Sequence, residues 1–514
     1  MPPADAAATA PAPASRPTSS TAPGDGRFAR ILGLPWPAIL LALLAIATLI
    51  GFFVYPMYPN YDSYYSLIWG REILHGHLPS FDEYQSPTEH PLAVAFGAVL
   101  SLLGRHGDRV MVFCTLASFV VLCAGIYQVG RRAFTPLVGL AAAAILCTRF
   151  DFPFLAARAY IDIPYLAFVV WAAAFEIAQP RRGGIVWWLL AAAGLMRPEA
   201  WLIIGIYFLW MCSGELGADH PDAATRWRRW ACYAAWAAVG PFVWVLTDFV
   251  VTGHPFFSLQ HTSGLAEELG RTKGLAEVPE ATRRFFLNLA KAPVLYAGIA
   301  GFLAALVLVP RRVWMPAALW LIGTGTFVLV GVAGLSVIDR YLLVPTLMVM
   351  VFAGFTLAGW TTLRRGWWVR KVWAVVAFGV IVYGVAFTAT RVNFHNFDAE
   401  LRLRGNSHRS LVQLLDRPEV RAGMRCGPVS TPNHKLIPDT RWILGASPKQ
   451  VIARADDRQS ERIRQGVSLF VVDRGALLRQ ALVADTDDPF DNVPLPGFHR
   501  RAFTSYYAAY VRCR

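Results

Sequence analysis

Charge is scarce in this chain. Only 16% of its 514 residues are Asp, Glu, Lys or Arg, against 55% hydrophobic, and the mean hydropathy is +0.41. So little charge cannot clothe a soluble globule of this size, which excludes the water-soluble enzyme classes and leaves a polytopic membrane protein. Acidic residues are scarcer than basic ones, 34 against 48, for a formal net charge of +14. The surplus forms neither a basic face nor an aromatic-interleaved groove, so no nucleic-acid partner is expected; it falls in short Arg pairs between apolar runs. Cysteine is also sparse, seven in all, with no CxxC and no zinc spacing. Five of them, Cys114, Cys123, Cys147, Cys212 and Cys232, lie in or beside apolar runs, where a small buried thiol is ordinary. Cys426 and Cys513 are the two that an oxidising compartment could pair.

What the chain has is long apolar runs. Residues 1–30, rich in Ala, Pro, Thr and Ser, cannot bury a core and read as a disordered cytoplasmic tail. The run near 36–55 is long enough to span a bilayer and is followed by no obvious cleavage site. Together with runs near 110–130, 135–150, 163–179, 184–197, 199–212, 230–250, 293–309, 314–334, 341–360 and 371–390 it gives about eleven spans. With the N-terminus cytoplasmic, Arg131-Arg132, Arg181-Arg182, Arg226/Arg228/Arg229, Arg311-Arg312 and the cluster from Arg364 to Lys371 all fall inside. That solution keeps Pro91 to Gly104 as a helix lying on the outer membrane surface. If that segment crossed instead, Arg131-Arg132 would lie outside. Residues 56–108 and 251–292 then lie outside, as does a C-terminal portion, 391–514, of mixed composition. Strand-like runs at 466–473 and 506–511 and helix-like stretches near 406–416 and 456–465 make that portion a small extracytoplasmic α/β domain.

The polar chemistry gathers on the outer side. Asp62 stands in Asn60-Tyr61-Asp62-Ser63-Tyr64-Tyr65, and the same loop carries Gly76-His77-Leu78-Pro79 and Glu89-His90-Pro91-Leu92. Later outer ends carry Asp162 in Arg158-Ala-Tyr-Ile-Asp162-Ile-Pro164, then Gly194-Leu-Met-Arg197-Pro198-Glu199, and Arg340-Tyr341-Leu-Leu-Val-Pro345. Asp248, His254, His261, Arg271, Lys273 and Asp339 share that side. An aspartate just past a span can be catalytic or can simply start a surface helix. Arg197, in an apolar stretch, is either a site residue or a partner for Glu199. Arg340 is either a phosphate contact or a partner for Asp339.

These motifs, in this order over residues 36–345, resemble the GT-C membrane glycosyltransferases, in particular the protein O-mannosyltransferase and lipid A aminoarabinose transferase group. The resemblance implies a 31–390 transmembrane domain with surface helices in its first outer loop, in the plasma membrane. It implies an inverting enzyme whose donor is a polyprenyl-phosphate sugar, mannose or another hexose or pentose, and whose acceptor is a cell-envelope glycan, lipid or protein. Such a transfer needs a base for the acceptor hydroxyl and a cation for the departing phosphate. Asp62 fills the first role and Arg197 and Arg340 the second, with Tyr61, Glu89, His90 and Asp162 orienting the acceptor. Relatives often show His-Pro-Pro or a His-Glu order where this chain has Glu89-His90-Pro91-Leu92. No cofactor is required; a divalent cation, Mg or Mn, is possible at Glu89 and His90. The competing classes are a lipid or sugar transporter, which would carry midplane charges and internal repeats, and a non-catalytic envelope-binding relative.

Overall fold

The computed structural model describes residues 36–216, 222–268, 274–391, 394–456, 463–480 and 494–513. The expected tail 1–30, Arg271, Lys273 and most of the helix-like stretch 456–465 lie outside these. The chain divides into two units, Met1–Leu44 and Ala45–Arg514. The first is described only as the opening part of the helix Trp36–Val54; apart from that helix itself, all that follows concerns the second.

Each of the eleven apolar runs is a helix. Among the described residues six, including Gly104–Ala133, Ala223–Thr252 and Trp368–Thr390, are long and apolar enough to cross a membrane, and two bent pairs, each taken as one span, raise the number to eight. The bends, 65° between Pro136–Thr148 and Asp151–Ala157 and 103° between Leu275–Ala290 and Ala292–Leu308, put polar loops at helix ends. The remaining three, Asp162–Ala178, Ile185–Met196 and Ala200–Ser213, are 17, 12 and 14 residues long. The protein is a multi-pass membrane protein.

The Arg pairs gather at one end of these helices. Arg132 donates to Ala174 O, and both Arg132 and Arg182 lie over the Phe175 ring. Glu176 accepts from the Arg181 and Arg182 amides and from Tyr207 and Trp210. Asp62, Asp162, Arg197 and Arg340 meet at the other end.

The first loop folds as two short helices, Tyr61–Leu74 and Pro91–Ser101. The second has 11 residues, about 16 Å of rise, half of what a bilayer core demands. It lies against the first at a crossing that only glycine permits: a Cβ on Gly97 would sit 2.2 Å from Ser66 O, and one on Gly70 2.2 Å from Ala98 N.

The C-terminal portion begins with the helix Phe394–Leu415. It carries a five-stranded sheet of β1 (Val429–Thr431), β2 (Val451–Ala453), β3 (Gly466–Val471), β4 (His499–Phe503) and β5 (Tyr507–Arg512), in the order β2-β1-β3-β5-β4. β1 runs parallel to β2 and β3; β5 runs antiparallel to β3 and β4. Leu411, Leu414, Val429, Val467, Leu469 and Tyr507 form its buried core. Cys426 and Cys513 form a disulfide, with Cα atoms 5.4 Å apart.

This portion is clamped to the first loop. The Arg441 side chain, 1% exposed, lies 2.6 Å from Glu72 Oε1 and also pairs with Glu83. Arg71 donates to the Arg441 and Trp442 carbonyls and Tyr84 to Ala455 O. These contacts swing the loops after β1 over the membrane helix ends.

Candidate active site at the helix ends

The helix Tyr61–Leu74 starts where its sequence allows it to. Asn60 is the N-cap, its side chain accepting from the Ser63 amide, so Asp62 sits in the first turn instead of capping it. A carboxylate there is favoured by the positive helix end. The start is pinned to the segment that carries Arg158 and Asp162: Asn60 N donates to Arg158 O at 2.7 Å, and Ser63 Oγ to Ala159 O at 2.6 Å. Asp162 opens its own helix and is buried. Pro198 ends the helix Ile185–Met196, leaving Arg197 extended at its C-cap.

These ends bring the four residues together. Arg340 Nη1 lies 3.1 Å from Asp62 Oδ2 and 3.8 Å from Asp162 Oδ2. Arg197 Nη2 lies 2.6 Å from Asp162 Oδ1, with Nη1 3.8 Å from Glu199. Asp162 thus stands between two guanidiniums. Arg340 takes its carboxylates from 178 and 278 residues away and not from neighbouring Asp339, while Arg197 makes its closer pair with Asp162. Asp62 Oδ1 has no partner among the described residues.

A polar cavity of about 360 Å³ opens onto this array. Tyr61, Asp62, His90, Arg197 and Arg340 line it; Asp162 and Glu89 do not. Tyr61 donates to Gln85 O, and its ring meets Tyr65 and His434 edge-on. His90 occupies the N-cap position of the helix Pro91–Ser101 without a side-chain capping bond, and its ring packs against Trp244. Burial, with the Arg197 charge, holds its imidazole well below the usual histidine range, hence neutral. Among the described residues no three His, Cys, Asp or Glu side chains converge as a metal set, and a divalent cation remains an expectation.

Glu89 serves a different contact. Ser258 Oγ lies 2.5 Å from Glu89 Oε2 and 2.6 Å from Asp248 Oδ1, able to accept from a protonated Glu89 while donating its one hydrogen to Asp248, a buried cluster beside which Thr88 bonds Thr262 and His261 bonds Ser86 O. The loop 85–90 is thereby strapped to the helix Phe257–Glu268. Burial, reinforced by Asp248, holds the Glu89 carboxyl well above its ordinary value of 4.5. The folded state therefore keeps a proton that the unfolded state gives up, so the strap is strongest below about 4.5 and weakens as pH rises through the raised value. Asp248→Asn removes the repulsion. Melting curves in detergent should lose less stability from pH 5 to pH 8 in the variant than in the wild type; equal slopes would contradict a Glu89 proton held there by the Asp248 side chain.

Several cavity residues, Arg479 among them, were not singled out by the sequence. Arg404, His434, Lys435 and Asp439 line it from the C-terminal portion, and the only local signal was a polar Asn-His-Lys turn after a three-residue strand. His254 and His261 do not line it.

No protein-family model and no curated protein sequence matches the chain. Solved structures do. ArnT from Cupriavidus metallidurans bound to undecaprenyl phosphate is similar over 92% of this chain and 97% of its own, with TM-score 0.54 and 12% identity. The Archaeoglobus fulgidus oligosaccharyltransferase is similar in its apo form (TM-score 0.46, 11% identity, 82% of this chain and 65% of that one) and tethered to an acceptor peptide (0.45, 11%, 82% and 64%). The fold is that of the ArnT structure.

Proposed function

We propose that the protein is a membrane glycosyltransferase that moves a sugar from a polyprenyl-phosphate donor to a cell-envelope acceptor on the extracytoplasmic face. The observation that carries this reading is the pairing of Asp62 with Arg340 on a polar cavity at the helix ends, with Asp162 and Arg197 behind them. An alcohol is a poor nucleophile, and Asp62 is the carboxylate available to take its proton. As the acceptor oxygen bonds the anomeric carbon, the bond to phosphate breaks and negative charge grows on the departing oxygen. Arg340 meets that charge. Arg197, held by Asp162 and Glu199, fixes Asp162 and through it Arg340.

A lipid donor suits the surroundings. A cavity of about 260 Å³ lined by Asp151, Tyr160, Asp339 and Arg340 adjoins the polar one through Tyr160 and Arg340. An apolar groove of about 760 Å³, lined by Ile145, Val294, Leu357, Phe378 and Ile381, runs up to Arg149, two residues short of Asp151. An isoprenoid chain in the groove would bring its phosphate toward Arg340. The ArnT structure contains undecaprenyl phosphate, the same class of carrier.

Removing the guanidinium tests the donor half of this reading. Arg340→Gln should weaken undecaprenyl phosphate binding by about 10- to 100-fold, the worth of a charge-assisted contact, as read by native mass spectrometry of the protein in nanodiscs. Undiminished binding would move the phosphate elsewhere.

A further inference from the structure

Two cysteines in the membrane part touch. Cys123, 3% exposed, and the half-buried Cys147 hold their Sγ atoms 3.7 Å apart, among the described residues the only two free cysteines in contact. A single buried thiol is ordinary packing; a second one against it is a dithiol. The backbone brings them together by a tight hairpin. The helices Gly107–Ala133 and Pro136–Thr148 are joined through Phe134 and Thr135, and Thr135 caps the second by accepting from the Val138 amide. Past the turn the two helices pack as closely as glycine allows: a Cβ on Gly130 would lie 2.6 Å from Gly139 Cα, and one on Gly139 2.3 Å from Tyr127 O. Cys123 precedes Gly130 by seven residues and Cys147 follows Gly139 by eight, about two turns along each helix. The antiparallel pair therefore holds the sulfurs level. A disulfide, at about 2.05 Å, asks for only about 1.7 Å of sulfur movement from the observed contact.

Position favours reaction. The helix Pro136–Thr148 runs from the Arg end toward the Asp62 array, so Cys147, one residue from its end, lies toward the side that carries the Cys426–Cys513 disulfide. A disulfide there marks a side where thiols are oxidised. Cys147 is the more open sulfur and Cys123 the enclosed one, the arrangement of an attacking thiol and a resolving thiol. The same helix supplies Leu140, Ala144, Ile145 and Thr148 to the apolar groove, and it ends at the 65° bend where Arg149 closes that groove. A pull on Cys147 is thus a pull on the groove wall.

We propose that Cys123 and Cys147 are a redox-active dithiol, a modification site whose co-reactant is a small apolar disulfide, and that its closure alters the apolar groove. The Cys147 sulfur, giving up its proton, attacks the incoming disulfide, and one half departs as a thiol. The Cys123 sulfur, giving up its own, then attacks the mixed disulfide, and the second half departs as a thiol. One S–S bond forms in the protein and one breaks in the reagent; the reagent gains the two protons and two electrons that the dithiol loses. The dithiol stands apart from sugar transfer, whereas its coupling to donor binding rests on the groove holding the donor chain.

The test treats the full chain in nanodiscs with 2,2′-dithiodipyridine, blocks the remaining thiols with N-ethylmaleimide and maps every cysteine by peptide mass spectrometry. Cys123 and Cys147 should be recovered as one crosslinked pair of peptides, while Cys114, Cys212 and Cys232 carry single adducts. In Cys123→Ser, Cys147 should keep its pyridyl adduct for want of a resolving thiol. Undecaprenyl phosphate should bind wild type before and after crosslinking with affinities that differ about fivefold or more, and bind Cys123→Ser equally before and after treatment. Recovery of Cys123 and Cys147 separately blocked, from wild type of unchanged melting temperature, would overturn the dithiol. A crosslink that leaves the affinity unchanged would overturn the coupling. Failure of undecaprenyl phosphate to bind either form would overturn the donor reading and the coupling with it, while the crosslink still decides the dithiol.

Discussion

Asp62→Asn is expected to lower the turnover of sugar transfer by about 10²- to 10⁴-fold, the usual worth of a positioned general base, without raising the KM for the donor. The separation of the two constants follows from the geometry. Asp62 Oδ2 is 3.1 Å from Arg340 Nη1, so under the proposed function the wild-type carboxylate would compete with the donor phosphate for that guanidinium. An amide of the same shape does not compete, and the donor should bind at least as well. A merely structural Asp62 would give a different pattern, with binding and stability failing together. Turnover, donor KM and melting temperature measured on one preparation tell the two apart.

The second large effect is on stability. Arg441→Met should cost about 3 to 5 kcal/mol, the loss found when one partner of a buried ion pair is removed. Two carboxylates, Glu72 and Glu83, lie against this one guanidinium with side chains only 15% and 13% exposed. Without it they repel each other in a half-dry site. Burial already raises the Glu83 carboxyl above its ordinary range, with Arg441 opposing the shift. In the variant that opposition is gone and the folded pKa rises further. Stability should therefore be nearly intact below the ordinary carboxylate range and fall as pH rises, so the deficit is larger at pH 8 than at pH 5. Denaturant titration followed by tryptophan fluorescence at both pH values reads this, since Trp442 is buried beside the clamp. A deficit under about 1 kcal/mol at pH 8, the level of an exposed pair, would contradict the clamp.

The membrane part was legible because lipid imposes one rule on every span: about twenty apolar residues with charge pushed to the ends. Each of the eleven runs is a helix, and the placement of Asp62, Asp162, Arg197 and Arg340 at helix ends away from the Arg pairs was enough to gather them. Their partners were less legible. Local reading offered Asp339 to Arg340 and Glu199 to Arg197, because sequence neighbours are all it can see, whereas packing delivers carboxylates from distant helices. The same limit hid the Glu89–Asp248–Ser258 cluster, whose members come from separate segments. It hid the C-terminal wall more completely. His434 and Lys435 face the cavity only because Arg441 docks the sheet on the first loop, and β1 and β2, at three residues each, leave no periodic trace.

The central claim is that this cavity transfers a lipid-linked sugar. The most direct measurement gives the purified protein, in liposomes, polyprenyl phosphates carrying radiolabelled sugars together with a cell-envelope extract, and follows the label. The account predicts that label moves from the organic-soluble lipid to an acceptor, that free polyprenyl phosphate is released in equal amount, and that Asp62→Asn protein does neither. Label that stays on its lipid while crossing the bilayer, with protein of native melting temperature, would contradict it and make the protein a transporter.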